Sequence, residues 1–224
     1  SQKQQMKEQL GEKESGMLGL LHRLKLVCAH PYSVQPDQRL RDHSPKLQWL
    51  LQTLEGIKRA GNGDKVIVFS ELRDIQRELQ HAIHERFGFK ATVINGDTST
   101  SSQSAQSRQK LIDQFQQQPG FSVIILSTVA VGFGVNVQAA NHVIHFTRCW
   151  NPAKEDQATD RAYRIGQEKD VYVYYPTVLD NSMQTFEATL DQLLEKRRAL
   201  AQDMLHGASE IQVAEFGELL RAQG

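Results

Sequence analysis

Residues 65–70, KVIVFS, form a short unbroken apolar run rich in β-branched side chains. Similar runs recur at 91–96 (ATVING), 121–128 (FSVIILST), 142–146 (HVIHF) and 170–178 (DVYVYYPTV). Continuous runs of this length suit strands that are covered on both faces. Between them the period becomes helical. ELRDIQRELQHAIHERFG puts Leu72, Ile75, Leu79, Ile83 and Phe87 on one face and ends at Gly88, and SRQKLIDQFQQQ reads as a further helix. NPAKEDQATDRAYRIG offers Asn151 as N-cap and Pro152 at the first helical position, which predicts one helix running to the end of that stretch. Upstream, SPKLQWLLQTLEGIKRAGNGDK has Ser44 as N-cap, Pro45 inside it and Gly61 to Gly63 as the stop.

The ends of the chain lack strands. Met17, Leu20, Leu21, Leu24 and Val27 have helical spacing within residues 3–27, and His30–Pro31 closes that helix. A long amphipathic helix is predicted from about Asn181 to Leu205, with a short one in EIQVAEFGELLRAQG. The alternation predicts an α/β fold: an open, mostly parallel sheet with helices on both faces and right-handed crossovers, plus N-terminal and C-terminal helical extensions. The expected division is 1–43 as helical lead-in, 44–180 as the α/β lobe and 181–224 as the C-terminal helical extension.

Composition narrows the chemistry. Among 224 residues, 26 are Lys or Arg and 26 are Asp or Glu, so there is no global positive field. Contact with nucleic acid would have to come from a local basic surface or from amides and hydroxyls facing phosphate. Cys28 and Cys149 stand far apart and form neither a disulfide framework nor a zinc spacing, so no metal site is expected and a reduced, cytosolic setting is the default. Polar residues interrupt the first thirty positions, which match no signal peptide, and no stretch approaches the roughly 20 apolar residues of a bilayer span.

In open parallel sheets, ligands gather at the carboxyl ends of strands. Those ends are polar here: Ser70 and Glu71, NGDTST, STVAVGFGVN and TRCWNP. One shared edge that touches phosphates or a partner domain is the functional reading; ordinary turn residues are the alternative. Gln157, Arg161 and Arg164 follow at i, i+4 and i+7, one face of the predicted helix. Two guanidiniums on one rigid face suit a polyanion such as a triphosphate. The competing reading pairs them with Glu155, Asp156 and Asp160 on a solvated face. No G-x-x-x-x-G-K-[ST] run exists in the chain, nor a D-E-x-H run after an apolar strand, so a triphosphate would need its cradle on another domain or chain.

Taken in order, LKLVCAHP, SPKLQWLLQTL, KVIVFS, ILSTVAVGFGVNVQAANHVIHF and CWNPAKEDQATDRAYRIGQ resemble the second RecA-like lobe of Swi/Snf-type superfamily-two DNA translocases, over roughly residues 18–200. The resemblance implies the C-terminal motor lobe of a longer ATPase. ATP and magnesium are then held mainly by an absent first lobe, double-stranded DNA lies across both lobes through its backbone, and the N-terminal RecA-like lobe is the partner. With Walker A and Walker B on that first lobe, these 224 residues alone are expected to be inactive.

Carried onto this chain, the resemblance implies Arg164 as arginine finger on the γ-phosphate, Arg161 beside it, and Gln157 linking nucleotide to lobe closure. Gly132, Gly134 and Asn136, with Asp160, fall to nucleotide coupling. Ser70, Gly96, Thr98, Ser99, Ser127 and Thr128 fall to the DNA backbone, and Trp150 resembles a family aromatic with packing as its alternative role. Departures are Val129 and Val131 where members commonly have Lys and Gly, Phe133 where they have Leu, and a lengthened Ser/Thr/Gln segment between Gly96 and Arg108 that predicts an extra surface loop. The absence of large insertions between HFTRCWNP and the arginine helix implies a compact, bacterial-type member. The location implied is cytoplasmic at the nucleoid, or nuclear in a eukaryote. A strand-separating helicase lobe and a catalytically inactive DNA-binding adaptor are the alternative functions. Remodelling, transcription, repair and defence against foreign DNA stay open as pathways.

Overall fold

The structure, a computed structural model, describes residues 16–17, 19–31, 43–100, 107–131, 136–162 and 167–204. Its first helix, α1, occupies residues 19–29. Helix α2 (Pro45–Ala60) starts where the sequence places it: the Ser44 side chain accepts from the Leu47 amide, Pro45 follows, and Gly61 stops the helix at φ 74°.

From there strand and helix alternate: β1 (Lys65–Phe69), α3 (Arg73–Phe87), β2 (Thr92–Ile94), α4 (Arg108–Gln117), β3 (Ser122–Leu126), α5 (Thr128–Val131), β4 (His142–His145), α6 (Pro152–Thr159), β5 (Tyr172–Tyr174) and α7 (Phe186–Met204). The sheet order is β2-β3-β1-β4-β5 and every neighbouring pair is parallel. The expected α/β class with its parallel sheet is therefore observed.

Alternate side chains of the central strands enter two cores, which is why β1 and β3 are buried at every position. Val66, Val68, Val123 and Ile125 meet Leu50 and Leu54 of α2 and Ile75, Leu79 and Ile83 of α3. Ile67, Phe69, Ile124 and Leu126 meet Ile112 and Phe115 of α4 and Ala158 of α6. A third cluster joins the two ends of the described chain: Leu21 of α1 packs with Phe186, Leu190 and Leu194 of α7. Trp150 lies against this cluster with its ring edge-on to Phe186 at 5.9 Å. Leu26 and Ala29 of α1 also enter the α2–α3 core, so the lead-in helix shares the core of the lobe.

Two helices differ from the sequence expectation. α7 begins at Phe186, five residues after Asn181, because Asp180 accepts from the Ser182 and Met183 amides in a tight turn and Thr185 caps the helix through the Ala188 amide. α6 ends at Thr159. The Asp160 amide still reaches Asp156, but the Arg161 and Ala162 amides bond Ala158 and Thr159, three residues back, so the winding tightens into a turn. The single helix face expected for Gln157, Arg161 and Arg164 is thereby corrected: Arg161 stands in that turn, and Arg164 lies outside the described residues. The lengthened segment's 101–106 and the short helix expected after 205 lie outside them as well.

Candidate nucleotide and DNA interface

The sheet ladder continues one or two residues past its strands. Ser127 N–H donates to the Ile94 carbonyl at 3.0 Å, Ser70 N–H to Leu126 at 2.9 Å and Thr147 N–H to Phe69 at 3.3 Å. The carboxyl ends of β2, β3, β1 and β4 are thus held side by side and end in polar residues. Their side chains are joined too. Thr147 Oγ1 donates to Ser70 Oγ at 3.2 Å and accepts from Glu71 N–H, while the Glu71 carboxylate accepts from Thr128 N–H at 2.5 Å. Ser127 Oγ accepts from Ala130 N–H at 3.1 Å.

These contacts sort the expected backbone-facing residues. Ser70 is fully buried and Ser127 and Thr128 are largely so, whereas Gly96 is exposed and Thr98 and Ser99 are half-buried. The Ser70 hydroxyl therefore faces Thr147 inside the edge. Thr128 Oγ1 is buried and has no hydrogen-bond partner. Val129, next to it, is 60% exposed, so the family's lysine position is a surface position here.

The 95–99 turn is built from its own side chains: Asn95 N–H donates to Thr98 Oγ1 and Asp97 N–H to Asn95 Oδ1. Asn95 Nδ2 reaches Gln76 Oε1 at 2.9 Å. Arg108 secures the turn from beneath. Its largely buried guanidinium donates to the Thr98 carbonyl at 3.2 Å and approaches those of Asn95, Gly96 and Ala130 at 3.4–3.5 Å. Sequence reading missed Arg108, Gln76 and Thr147 in this role; an arginine at a helix start and a threonine after a strand carry no distinguishing local signal.

On the neighbouring α6, Asn151 caps the Ala153 and Lys154 amides. Gln157 and Asp160 are exposed and Arg161 is half-buried. The Val137 amide donates to the Arg161 carbonyl at 3.1 Å, which brings Asn136 to the arginine turn. Asn136 Oδ1 and Arg161 Nε are both buried without a hydrogen-bond partner. Gly132 and Gly134, like Arg164, lie outside the described residues.

Two of the three carboxylates that could neutralise Arg161, Glu155 and Asp156, are engaged elsewhere, and the third, Asp160, is exposed. Glu155 receives Arg148 through Nε at 3.0 Å and Nη2 at 3.0 Å, and Arg198 through Nη2 at 2.9 Å. Asp156 receives Arg198 at 2.7 and 3.0 Å. Arg148 also pairs with Asp191 and Glu195 of α7, and both guanidiniums lie over the Tyr175 ring. Burial opposes the charge of each arginine, but the hydrogen bonds and charges of Glu155, Asp191 and Asp156 outweigh it and raise both pKa values. His145 sits under this network, stacked between Phe69 and Tyr175, with Nε2 2.8 Å from Thr159 Oγ1. Burial, then the charges of Arg148 and Arg198, push its pKa down to about 3, so it is neutral.

A buried guanidinium donor without a partner fits an anionic group such as a phosphate. Among the described residues no group of three or more His, Cys, Asp or Glu is placed to hold a metal ion, and no helix is long and apolar enough to cross a membrane.

Residues 45–166 match the family described as the helicase conserved C-terminal domain. The chain is 68% identical over 220 residues to the Zorya protein ZorD of Escherichia coli O139:H28, an alignment covering 98% of this chain and 20% of ZorD. It is 35% identical over 214 residues to the putative ATP-dependent helicase/translocase YwqA of Bacillus subtilis, covering 93% of this chain and 22% of YwqA. Among solved structures, the Sulfolobus solfataricus SWI2/SNF2 ATPase core in complex with dsDNA superposes with a TM-score of 0.66 at 32% identity, covering 86% of this chain and 38% of that one. The chain thus spans about a fifth of the length of these curated relatives.

Proposed function

We propose that this chain, which belongs to the SWI2/SNF2-type helicases and carries their conserved C-terminal domain, is the second motor lobe of an ATP-dependent double-stranded DNA translocase. The observation that carries this reading is the state of Arg161. Its Nε is buried without a partner, and Glu155 and Asp156 are held by Arg148 and Arg198. The ion-paired surface alternative needs those carboxylates for Arg161. An arginine whose Nε lacks a partner while two neighbouring carboxylates serve other arginines suits a charge that arrives when a second lobe closes.

In this reading Arg161 and Arg164 act on the phosphates of ATP held with magnesium on the first lobe, and Gln157 reports closure. When bound, ATP supplies the phosphoryl group whose developing charge the guanidiniums neutralise. Gly132, Gly134 and Asn136 connect the nucleotide side to the strand-end edge, with Asp160 in the turn beside them. Gly96, Thr98 and Ser99 face the DNA backbone and Ser127 and Thr128, largely buried, support that contact from beneath, which positions the motor without reading sequence. Ser70, buried behind them, holds the edge through Thr147.

The test is ATP turnover of the full-length parent protein with saturating duplex DNA. Arg161→Ala and Arg164→Ala should each lower kcat by about a thousandfold, as arginine-finger removal does, with nucleotide affinity and melting temperature little changed. Activity within a few fold of wild type in both variants would remove the arginine segment from the mechanism.

A further inference from the structure

Helix α1 meets the carboxyl ends of β1 and β4 around a cavity of about 600 Å3. Gly19, His22 and Lys25 line it from α1, Glu71 from beyond β1 and Trp150 from beyond β4. That volume lies in the range of ligand sites and exceeds the voids left by side-chain packing. Gly19 and His22, three and six residues before Lys25 on one helix face, are exposed and mark the open side. Leu21 packs on α7 and Leu26 enters the α2–α3 core, so Lys25 stands on a helix held from both sides.

Lys25 is only 5% exposed. Among the described residues no hydrogen bond or ion pair engages its Nζ, which lies over the Trp150 ring, 5.8 Å from the centroid. Glu71, the one carboxylate on the cavity wall among the described residues, is taken up by the Thr128 amide at 2.5 Å. Burial pushes the lysine pKa down. A buried ammonium without a counter-charge weakens a fold, and an anion entering beside it offsets that cost.

The cavity opens on the strand-end edge, because Glu71 joins its wall to Thr128 and the neighbouring Ser70 joins Thr147. Other cations near that edge are occupied: Arg73 pairs with Asp97 at 2.8 Å and Arg108 donates to carbonyls of the 95–99 turn. Val129 is uncharged. We propose that Lys25 is a phosphate-binding residue of the DNA interface, its ammonium meeting a backbone phosphate of the duplex at the mouth of this cavity. The proposal rests on the motor-lobe reading above. The four-carbon stem lets Nζ swing from Trp150 toward the rim, and a contact of this kind is blind to bases.

The experiment measures duplex binding by the nucleotide-free parent protein across a salt series, for wild type, Lys25→Met and Gly19→Glu. Lys25→Met should lower affinity about eightfold at 0.1 M salt and make the slope of log affinity against log salt shallower by about 0.9, equally for unrelated sequences. Its melting temperature should hold or rise, because a buried charge leaves the fold. Gly19→Glu sets a carboxylate at the rim, where an added Cβ meets nothing within 4 Å, and should make the slope shallower in the same way. The slope does not depend on the folded fraction, so loosening of the fold cannot imitate it. An unchanged slope in either variant overturns the proposal. An unchanged slope with altered ATP turnover would also overturn it, placing an acidic side chain of the first lobe in the cavity instead. A wild-type protein that binds no duplex would strike the motor-lobe reading itself.

Discussion

Arg148 and Glu155 form a fully desolvated pair: the guanidinium bonds both carboxylate oxygens, and the two side chains are 2% and 0% exposed. Glu155 also accepts the Cys149 amide at 2.6 Å and Arg198 of α7. One carboxylate therefore fixes the start of α6, the end of the β4 segment and the C-terminal helix together. Glu155→Ala leaves Arg148 buried with fewer partners and should cost about 3–5 kcal/mol of unfolding free energy in urea titration. A loss under about 1 kcal/mol would show that Asp191 and Glu195 suffice.

The Asn151 side chain accepts from the Ala153 and Lys154 amides at the N-terminus of α6. Asn151→Ala should destabilise the fold by about 1 kcal/mol and Asn151→Ser by much less, because serine preserves the cap. Thermal melting of the two variants compares them directly.

His145 predicts an acid limb of stability. Its pKa lies near 3 when folded and near 6.5 in the free side chain, so between those values the unfolded chain binds the extra proton. Stability rises with pH in that window by up to about 1.4 kcal/mol per unit, is complete above pH 6.5, and is lost as pH falls toward 3. His142, whose pKa burial also lowers, adds in the same direction. Asp156, Arg148 and Arg198 face His145, and the two arginines keep their charge throughout that window. His145→Phe should flatten the slope between pH 6.5 and 5 in denaturant titrations; an unchanged slope there would exclude His145 as its source.

Val129 predicts a graded effect on DNA. It is exposed beside Ser127 and Thr128, so a lysine there adds one cation to the proposed backbone contact at little structural cost. Val129→Lys should tighten duplex binding uniformly across sequences and steepen the slope of log affinity against log salt by about 0.9. Wild-type binding by these 224 residues should be weak and indifferent to base sequence. A tight footprint on one sequence would contradict the backbone reading.

Periodicity and punctuation made much of the fold legible. The Ser44–Pro45 start, the Gly61 stop, the Asn151–Pro152 start and the five apolar runs all rest on local chemistry, and each appears where the sequence puts it. What local chemistry cannot carry is the partner. The i, i+4, i+7 rhythm of Gln157, Arg161 and Arg164 reads as one helix face, but the tightening after Thr159 accompanies a bond from Val137, some two dozen residues away in sequence, to the Arg161 carbonyl. Ser70 reads as surface because it follows a strand, and it is buried because Thr147 of the adjacent strand end takes its hydroxyl. Gln167 ends the stretch CWNPAKEDQATDRAYRIGQ, and nothing local distinguishes a glutamine whose amide reaches the distant carbonyls of Gln138 and Ala140.

The ladder bonds that run past the strands turn the edge into a ruler. Four neighbouring strand ends, fixed by Ser127, Ser70 and Thr147 amides, span three inter-strand gaps, or roughly 14 Å at the usual spacing. That length matches about four nucleotides of rise along one strand of duplex DNA. Under the proposed reading the edge is a rigid frame whose Ser127, Ser70 and Thr147 amides are spent on the neighbouring strands, leaving the exposed turn groups around it to meet a DNA backbone. The frame's natural increment is set by the hydrogen-bond spacing of a β-sheet, a quantity that no side-chain substitution on the edge can alter.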